Sequence, residues 1–254
     1  MKDIKESRLR KKLKKNKLTD KQKAIIKRLI AIFILIIIIL VSVLIVNKAR
    51  ILRVEIRGLK RLNAMDIMEE AELSKYNNTS LFNIPKKDIT SDIEKNVRIK
   101  VENIKASFPD LLIINVDERD TLFLLESSRG IYEITDDGYI IKNGNIYNYD
   151  VPYITGLSIT QNSDKVEDEY AKYLASVIYE LKKNHNEIYN LISEINAYGD
   201  DLILYPRGYQ VQVILEKYVK AEKFVDLAAV LKTVQYQGNQ TKRIDFRFKE
   251  AIIN

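Results

Sequence analysis

The sequence contains no cysteine and a single histidine, and these two gaps exclude several classes of protein. Without cysteine, the chain cannot form disulfide bonds or hold a metal ion through thiolates. One histidine, His185, rules out zinc sites built from several histidines and leaves little basis for a histidine-based triad. We therefore expect no disulfide, no metal ion and no cofactor.

Motifs that carry catalytic chemistry are also missing from the sequence. It has no phosphate-binding Gly-x-x-x-x-Gly-Lys and no Ser-x-x-Lys, Lys-Thr-Gly or Gly-x-Ser-x-Gly. Adjacent acidic residues have structural explanations: Asp117 and Glu118 would point to opposite faces of a strand, and Asp136-Asp137-Gly138 is typical of a hairpin turn. We predict no catalytic residue, no small-molecule substrate and no enzymatic activity.

An uncharged apolar segment of eighteen residues, Leu29 to Val46, is the most informative feature that is present. At about 1.5 Å per residue, a helix of this length spans roughly 27 Å, close to the hydrocarbon thickness of a bilayer. Its one polar side chain, Ser42, can bond to a carbonyl of the preceding helical turn. A buried helix of a soluble domain would show a polar face, which this segment lacks. We predict a membrane-spanning helix over residues 29–46.

Charge is distributed asymmetrically around this helix. Residues 1–28 contain 13 lysines and arginines against three acidic residues, whereas the rest of the chain has a net charge of −3. Positive charge beside a first membrane helix marks the cytoplasmic side, so we expect a cytoplasmic N-terminus and exported C-terminal domains. Asn47-Lys48-Ala49 offers no signal-peptidase site, so the helix should remain as an anchor. The pI of 9.2 reflects the tail, and we expect no nucleic-acid partner for the exported part.

The basic tail has three interpretations. Lys11, Lys12, Lys14 and Lys15 can bind anionic lipid, can contact a cytoplasmic partner or nucleic acid, or can simply fix the topology. We adopt the third interpretation, because the positive-inside effect accounts for these lysines without a further role.

The segment after the membrane helix predicts the order strand, helix, helix, strand, strand. Apolar and charged residues alternate from Leu52 to Arg57, as in a half-buried strand that ends at Gly58. Asn63 is suited to cap a first helix, and Pro85 is suited to the first turn of a second.

The alternation slips before the next strand, which we therefore start near Glu102. Pro109-Asp110 predicts a turn between this strand and the following one. The side chains expected to face the core are those of Ile104, Ala106, Phe108, Leu112, Ile114 and Val116.

A second exported region begins near Leu122. Its first feature is a hairpin around Asp136-Asp137-Gly138, and a helix is expected from Asp164 to Lys183, capped by the Asp164/Glu167 pair. The pattern also predicts short strands at Ile195–Tyr198, Leu202–Tyr205 and Gln210–Leu215, a helix at Tyr218–Val234 and a last strand at Arg243–Lys249. In this last strand, Ile244, Phe246 and Phe248 would face the core.

Two segments carry a resemblance to a known family. Ser107–Arg119 contains a Phe-Pro turn and a hairpin strand ending Val-x-Glu-Arg, and Val151–Leu157 has a Pro-x-x-x-Gly-Leu pattern. Together with the element order, they resemble the FtsQ/DivIB cell-division proteins, whose first exported module is a POTRA domain. The resemblance implies an α+β protein with four parts: a cytoplasmic tail at 1–28, a transmembrane helix at 29–46, a POTRA domain at 50–120 and a β-domain with two helices at 121–254.

The resemblance also implies a function. Proteins of this family are expected in the cell membrane at the division septum, as scaffolds without catalytic activity. The partners it implies are single-pass coiled-coil proteins of the FtsB/DivIC and FtsL kind, and through them the septal peptidoglycan synthase.

The partner site is expected on the last strand, because an unpaired sheet edge can accept a partner strand. Only six residues follow Phe248, so little remains to cover the strand's outer edge. In the family, the small coiled-coil partner docks at the end of this strand. The residues so implicated are Arg247, Phe248, Lys249, Glu250 and Ala251.

Two alternatives stay open at this stage. One is a POTRA-bearing assembly or secretion factor, although the chain is short for the long barrel such proteins carry. The other is a membrane-anchored cell-wall enzyme without a recognisable motif.

Overall fold

The structure, a computed structural model, describes residues 19–128, 130–142, 146, 150–160, 163–197, 199–236, 241–248 and 251–253. The fold of this part is α+β, as predicted. The helices are α1 (Asp20–Lys48), α2 (Ala64–Glu70), a 3₁₀ turn (Leu73–Tyr76), α3 (Lys86–Ile93), α4 (Glu169–Asn184), α5 (Asn186–Leu191) and α6 (Ala221–Tyr236). The strands are β1 (Arg53–Arg57), β2 (Ile99–Ser107), β3 (Leu111–Glu118), β4 (Thr121–Ser127), β5 (Gly130–Thr135), β6 (Ile140–Ile141), β7 (Tyr153–Thr155), β8 (Ile192–Asn196), β9 (Asp201–Pro206), β10 (Gln212–Glu216), β11 (Arg243–Asp245) and β12 (Ile252–Ile253).

Helix α1 contains the whole apolar segment and is the one helix in the described residues that is long and apolar enough to cross a membrane. It begins earlier than the apolar segment because Thr19 and Gln22 form a reciprocal capping box at its N-terminus. Ser42 donates its hydroxyl to the carbonyl of Ile38 at 2.8 Å, the back-bond that the sequence predicted. The apolar side chains of α1 are exposed rather than packed in a core, as a membrane-spanning helix requires.

The first sheet has three strands in the order β1-β3-β2. The predicted order strand, helix, helix, strand, strand is confirmed. Asn63 caps α2 as predicted, because its side chain accepts the backbone N–H of Met65 at 3.0 Å. The predicted core side chains of β3 are buried: Leu112, Ile114 and Val116. Ile67 of α2 and Ile89 and Ile93 of α3 are buried as well.

Strand β2 departs from the prediction at both ends. It begins at Ile99 rather than near Glu102. The strand therefore includes the residues at which the apolar–polar alternation is interrupted. Ile104 is buried as expected, whereas Ala106 is exposed. Phe108 was predicted to be a core residue, and this is wrong: it lies beyond the end of the strand and is 54% exposed.

The second sheet has nine strands in the order β12-β11-β10-β9-β8-β7-β4-β5-β6. It is mixed: β4 and β7, β7 and β8, and β10 and β11 are parallel, and the remaining pairs are antiparallel. The predicted hairpin at Asp136-Asp137-Gly138 joins β5 to β6. Helices α4 and α6 contribute buried side chains to the core with the strands, including Leu174, Ile178, Leu181, Phe224, Leu227 and Leu231.

The start of α4 was predicted five residues too early. Asp168 caps the helix by accepting the N–H of Ala171 at 2.8 Å, so the predicted Asp164/Glu167 capping box does not form. Asp164 is used by the hairpin instead: its carbonyl accepts the N–H of Ile140 at 2.8 Å, and its carboxylate pairs with Lys142 at 3.2 Å. This tertiary role outweighs a local capping preference.

By packing, the described chain forms two compact units. The first unit contains residues 19–55, Leu73–Lys86 and Ile104–Ile113. The second unit contains Ile56–Glu72, Lys87–Asn103 and the chain from Ile114 onward.

Candidate partner-binding edge

The C-terminal strands form one edge of the nine-stranded sheet. Strand β11 pairs in parallel with β10, and β12 folds back to pair with β11 in antiparallel register, Ile244 opposite Ile253 and Asp245 opposite Ile252. Strand β12 is therefore the last strand of the sheet, with no described strand on its outer side. An outer strand of this kind presents backbone donors and acceptors that another chain can pair with.

Two buried side chains hold β11 in place. Ile244 is fully buried and Phe246 is 6% exposed. The backbone N–H of Phe246 donates to the carbonyl of Ile214 at 2.8 Å, which continues the pairing with β10 beyond the end of β11. Of the three residues of this strand that were predicted to face the core, Ile244 and Phe246 do so.

Arg247 stabilises the bend that follows β11. Its guanidinium donates to both carboxylate oxygens of Asp245, at 3.0 and 2.6 Å, and to Asp201 at 3.2 Å. The hydrogen bonds and charge of Arg247 lower the pKa of the Asp245 carboxyl below its usual value. Arg247 therefore contributes to the fold of the edge, whereas the prediction placed it in the partner contact.

Lys223, from α6, supports the same bend. Its ammonium group donates to the carbonyl of Arg247 at 3.1 Å and pairs with Glu216 at 2.9 Å. It also lies 5.5 Å from the centre of the Phe246 ring, within the range of a cation–π contact. The bend is thus held from both sides before β12 begins.

Two apolar side chains near the edge remain exposed. Phe248 is 58% exposed, so its predicted place in the core is wrong, and Ile252 in β12 is 49% exposed. The chain bends at Arg247 and Phe248 and ends the strand, which places Phe248 outside the alternation that the sequence suggested. The predicted strand from Arg243 to Lys249 is correspondingly shortened to three residues.

The five predicted contact residues thus have different positions. Arg247 is tied to two carboxylates, Phe248 is exposed, and Ala251 is partly buried against the core. Lys249 and Glu250 lie outside the described residues. Their role in partner binding stays a prediction.

Sequence reasoning missed β12 itself. The residues after Phe248 were judged too few to cover β11, yet Ile252 and Ile253 form a strand on its outer side. Two consecutive β-branched residues were the available signal, because such residues favour extended backbone.

The acidic residues near Arg119 have structural roles. Asp117 is exposed and Glu118 is buried, on opposite faces as predicted. One carboxylate oxygen of Glu118 accepts the backbone N–H groups of Lys60, Arg61 and Leu62 at 2.7, 2.9 and 3.2 Å. Burial would raise the pKa of Glu118, but these hydrogen bonds outweigh it and lower that pKa.

Arg119 links the end of β3 to the β5–β6 hairpin. It donates to the carbonyls of Val97 and Ile99, both at 2.7 Å, and to the carboxylate of Asp137 at 2.8 Å. Its guanidinium also lies 4.0 Å from the centre of the Tyr139 ring. These contacts give Arg119 a structural role in joining β3 to the hairpin.

Comparison with known proteins agrees with the fold. The family described as "POTRA domain, FtsQ-type" matches residues 49–119. The chain is 22% identical over 211 residues to the cell division protein DivIB of Staphylococcus aureus (strain NCTC 8325 / PS 47), covering 77% of this chain and 48% of that protein. It is 27% identical over 144 residues to DivIB of Clostridium tetani (strain Massachusetts / E88), covering 53% of each.

A solved structure is also similar. It is the major extracytoplasmic domain of the trans isomer of the bacterial cell division protein DivIB from Geobacillus stearothermophilus, with 17% identity and a TM-score of 0.33. The match covers 47% of this chain and 97% of that domain. The chain spans about half the length of the curated relatives it matches.

An apolar helix followed by a POTRA domain and a β-rich region is the organisation of a single-pass membrane protein. Residues 49–119 match the FtsQ-type POTRA domain family, and the chain is similar to the DivIB cell-division proteins.

Proposed function

We propose that this protein is a non-enzymatic scaffold of the divisome. It would join single-pass coiled-coil proteins of the FtsB/DivIC and FtsL kind and through them regulate septal peptidoglycan synthesis. The observation that carries this proposal is the outer edge of β12, which has no described strand beside it and has Phe248 and Ile252 exposed nearby. The DivIB relatives supply the division context.

The proposed organisation follows from the same features. The tail at 1–28 lies in the cytoplasm, the helix at 29–46 spans the membrane, and the POTRA domain at 50–120 and the β-domain at 121–254 lie outside. The excess of lysine and arginine before the helix supports this orientation.

The proposed mechanism is strand addition. An extended segment of the partner would pair with the outer edge of β12, and its apolar side chains would cover Phe248 and Ile252. Backbone hydrogen bonds would supply affinity, and these two side chains would supply selectivity. Arg247 and Lys223 would act indirectly, by holding the bend that presents β12.

The test is capture of partners by the full-length chain, purified from cell membranes. The affinity tag is placed at the N-terminus so that it does not cover the β12 edge. We expect small single-pass proteins with coiled-coil heptads among the co-purifying species. A Phe248→Ser/Ile252→Ser variant should lose them. Ile131→Ser is the matched control, because Ile131 is 42% exposed on a different strand of the same sheet.

Two results would contradict the proposal. Capture by the double variant at the level of the unaltered chain would place the partner site elsewhere. Turnover of peptidoglycan by the purified full-length chain would support an anchored cell-wall enzyme instead.

A further inference from the structure

The first unit has a cluster of exposed apolar side chains outside the membrane helix. Leu52, Phe82 and Phe108 are 61%, 57% and 54% exposed, and the two phenylalanine rings lie 5.3 Å apart. Paired aromatic rings that keep more than half of each side chain in water are typical of a surface that binds something apolar. We call these three residues the aromatic patch.

Phe82 is tied to the end of the membrane helix by backbone hydrogen bonds. Ala49 caps α1 by donating its N–H to Ile45, and its carbonyl accepts the N–H of Leu81 at 3.0 Å. Phe82 is the next residue in the chain. Phe82 is therefore adjacent in sequence to a residue that is hydrogen-bonded to the C-terminal cap of α1.

Phe108 is tied to the same exit segment from the other side. The backbone N–H groups of Leu52 and Arg53 both donate to the carbonyl of Asp110, at 2.9 and 3.1 Å. Arg53 also pairs with the Asp110 carboxylate at 2.6 Å. Asp110 is two residues from Phe108, so the segments that carry both phenylalanines are hydrogen-bonded to residues 49–53.

The charge of this unit points to the kind of surface that would cover the patch. Its residues after the membrane helix, 48–55, 73–86 and 104–113, contain six basic and two acidic residues, a net charge of +4. The second unit has a net charge of −7. The six basic side chains of the first unit are all exposed: Lys48, Arg50, Arg53, Lys75, Lys86 and Lys105.

We propose that the aromatic patch and these basic residues dock onto the anionic headgroups of the leaflet from which α1 emerges. Aromatic side chains are favoured at the membrane interface, and lysine and arginine are attracted to anionic lipid. Continuity with the spanning helix brings the two surfaces together without a separate binding step. This inference does not depend on the β12 edge or on its partner.

The experiment uses the full-length chain in nanodiscs of phosphatidylcholine, with or without phosphatidylglycerol. Because the protein has no cysteine, one label site can be introduced by Asn83→Cys, next to Phe82, and another by Glu69→Cys in the second unit. Each carries an environment-sensitive fluorophore, and quenching by spin-labelled lipid reports contact with the bilayer. We expect strong quenching at position 83, greater with phosphatidylglycerol, and little at position 69.

Variants separate docking from simple tethering. Phe82→Ser/Phe108→Ser should remove at least half of the quenching at position 83. Met65→Ser is the matched control, because Met65 is 75% exposed in the second unit and should leave the quenching unchanged. A circular dichroism melt confirms that each variant is folded.

Four outcomes would overturn the proposal. Equal quenching at positions 83 and 69 would show that the patch is not at the bilayer. Unchanged quenching in the double variant would show that the tether alone keeps position 83 close. Equal quenching in neutral and anionic nanodiscs would remove the role of the basic residues, and weak quenching in all of them would favour a protein partner for the patch.

Discussion

At the scale of single residues, charged side chains near the end of β3 form hydrogen bonds that stabilise the fold. Glu118 binds three consecutive backbone N–H groups, and Arg119 binds two backbone carbonyls and a carboxylate. Buried groups of this kind are costly to leave without a partner, so their removal should act on stability. The sequence motif that resembles the family is thus explained by hydrogen bonding.

Glu118→Gln should destabilise the protein by about 1–3 kcal/mol at neutral pH, because the amide replaces a charged acceptor. The pKa of the Glu118 carboxyl is lower in the folded protein than in the unfolded chain, where it is about 4.3. The ionised carboxylate therefore stabilises the fold at a pH above about 4.3, and this stabilisation is lost as the pH falls toward the folded-state pKa. The difference between the variant and the original chain should therefore shrink below about pH 4. Melting curves across pH measure it.

Asp117→Asn is the control for this prediction, because Asp117 is the exposed neighbour of Glu118. Its melting temperature should stay close to that of the unaltered chain at every pH. A Glu118 variant that melts like the Asp117 variant would show that the three hydrogen bonds contribute nothing.

Phe108→Ala should have a small effect on stability, on the order of 1 kcal/mol or less, because the side chain is more than half exposed and loses chiefly its contact with Phe82. Ile114→Ala, at a fully buried position, should cost about 2–5 kcal/mol. Thermal melts of the two variants in the same detergent compare them. Equal shifts would mean that Phe108 packs more tightly than its exposure indicates.

At the scale of elements, the C-terminal edge depends on a bend. Strand β12 has two residues and cannot define its own position. The bend before it is held by the ion pairs of Arg247 with Asp245 and Asp201, and by the bond from Lys223 to the Arg247 carbonyl. Disturbing the bend should loosen the edge and leave the core intact.

Arg247→Ala should therefore weaken partner capture with only a small fall in melting temperature. Hydrogen exchange should rise at residues 252 and 253 and stay unchanged in β9 and β10, since those strands pair with each other independently of the bend. Arg243→Ala, which changes an exposed arginine of the same strand, is the control. A global rise in exchange would show that Arg247 supports the whole sheet.

At the scale of the whole molecule, charge is divided three ways. The tail is strongly basic, residues 48–55, 73–86 and 104–113 of the first unit have a net charge of +4, and the second unit has a net charge of −7. Together with one apolar helix, this division suits a protein that is held at a membrane.

A reporter that is active only outside the cytoplasm should be active when fused after Arg50, because the excess of basic residues precedes the helix. A fusion before Asp20 serves as the control and should be inactive. The reverse pattern would invert the proposed topology, and with it the placement of the β12 edge outside the cell.

The sequence predicted those structural features that depend on residues close together in the chain. The membrane helix, the Asn63 cap and the inward face of β3 follow from residue spacing, and they are found as predicted. The start of α4 and the place of Phe108 were missed. Asp164 is engaged by Ile140 and Lys142, which are distant in sequence, so it does not cap α4. Phe108 lies beyond the end of β2, so the alternation that predicted its burial does not reach it.

The sequence alone determined that this protein has one long apolar segment, a basic N-terminal flank and an α+β region after it, because length, charge and periodicity are local properties. Only the tertiary structure decided which strand forms the outer edge of the sheet. Pairing of β12 with β11 brings together residues from a bend whose geometry depends on α6 and β9. Composition does not predict which strands pair through backbone hydrogen bonds, so the outer strand could be identified only from the tertiary structure.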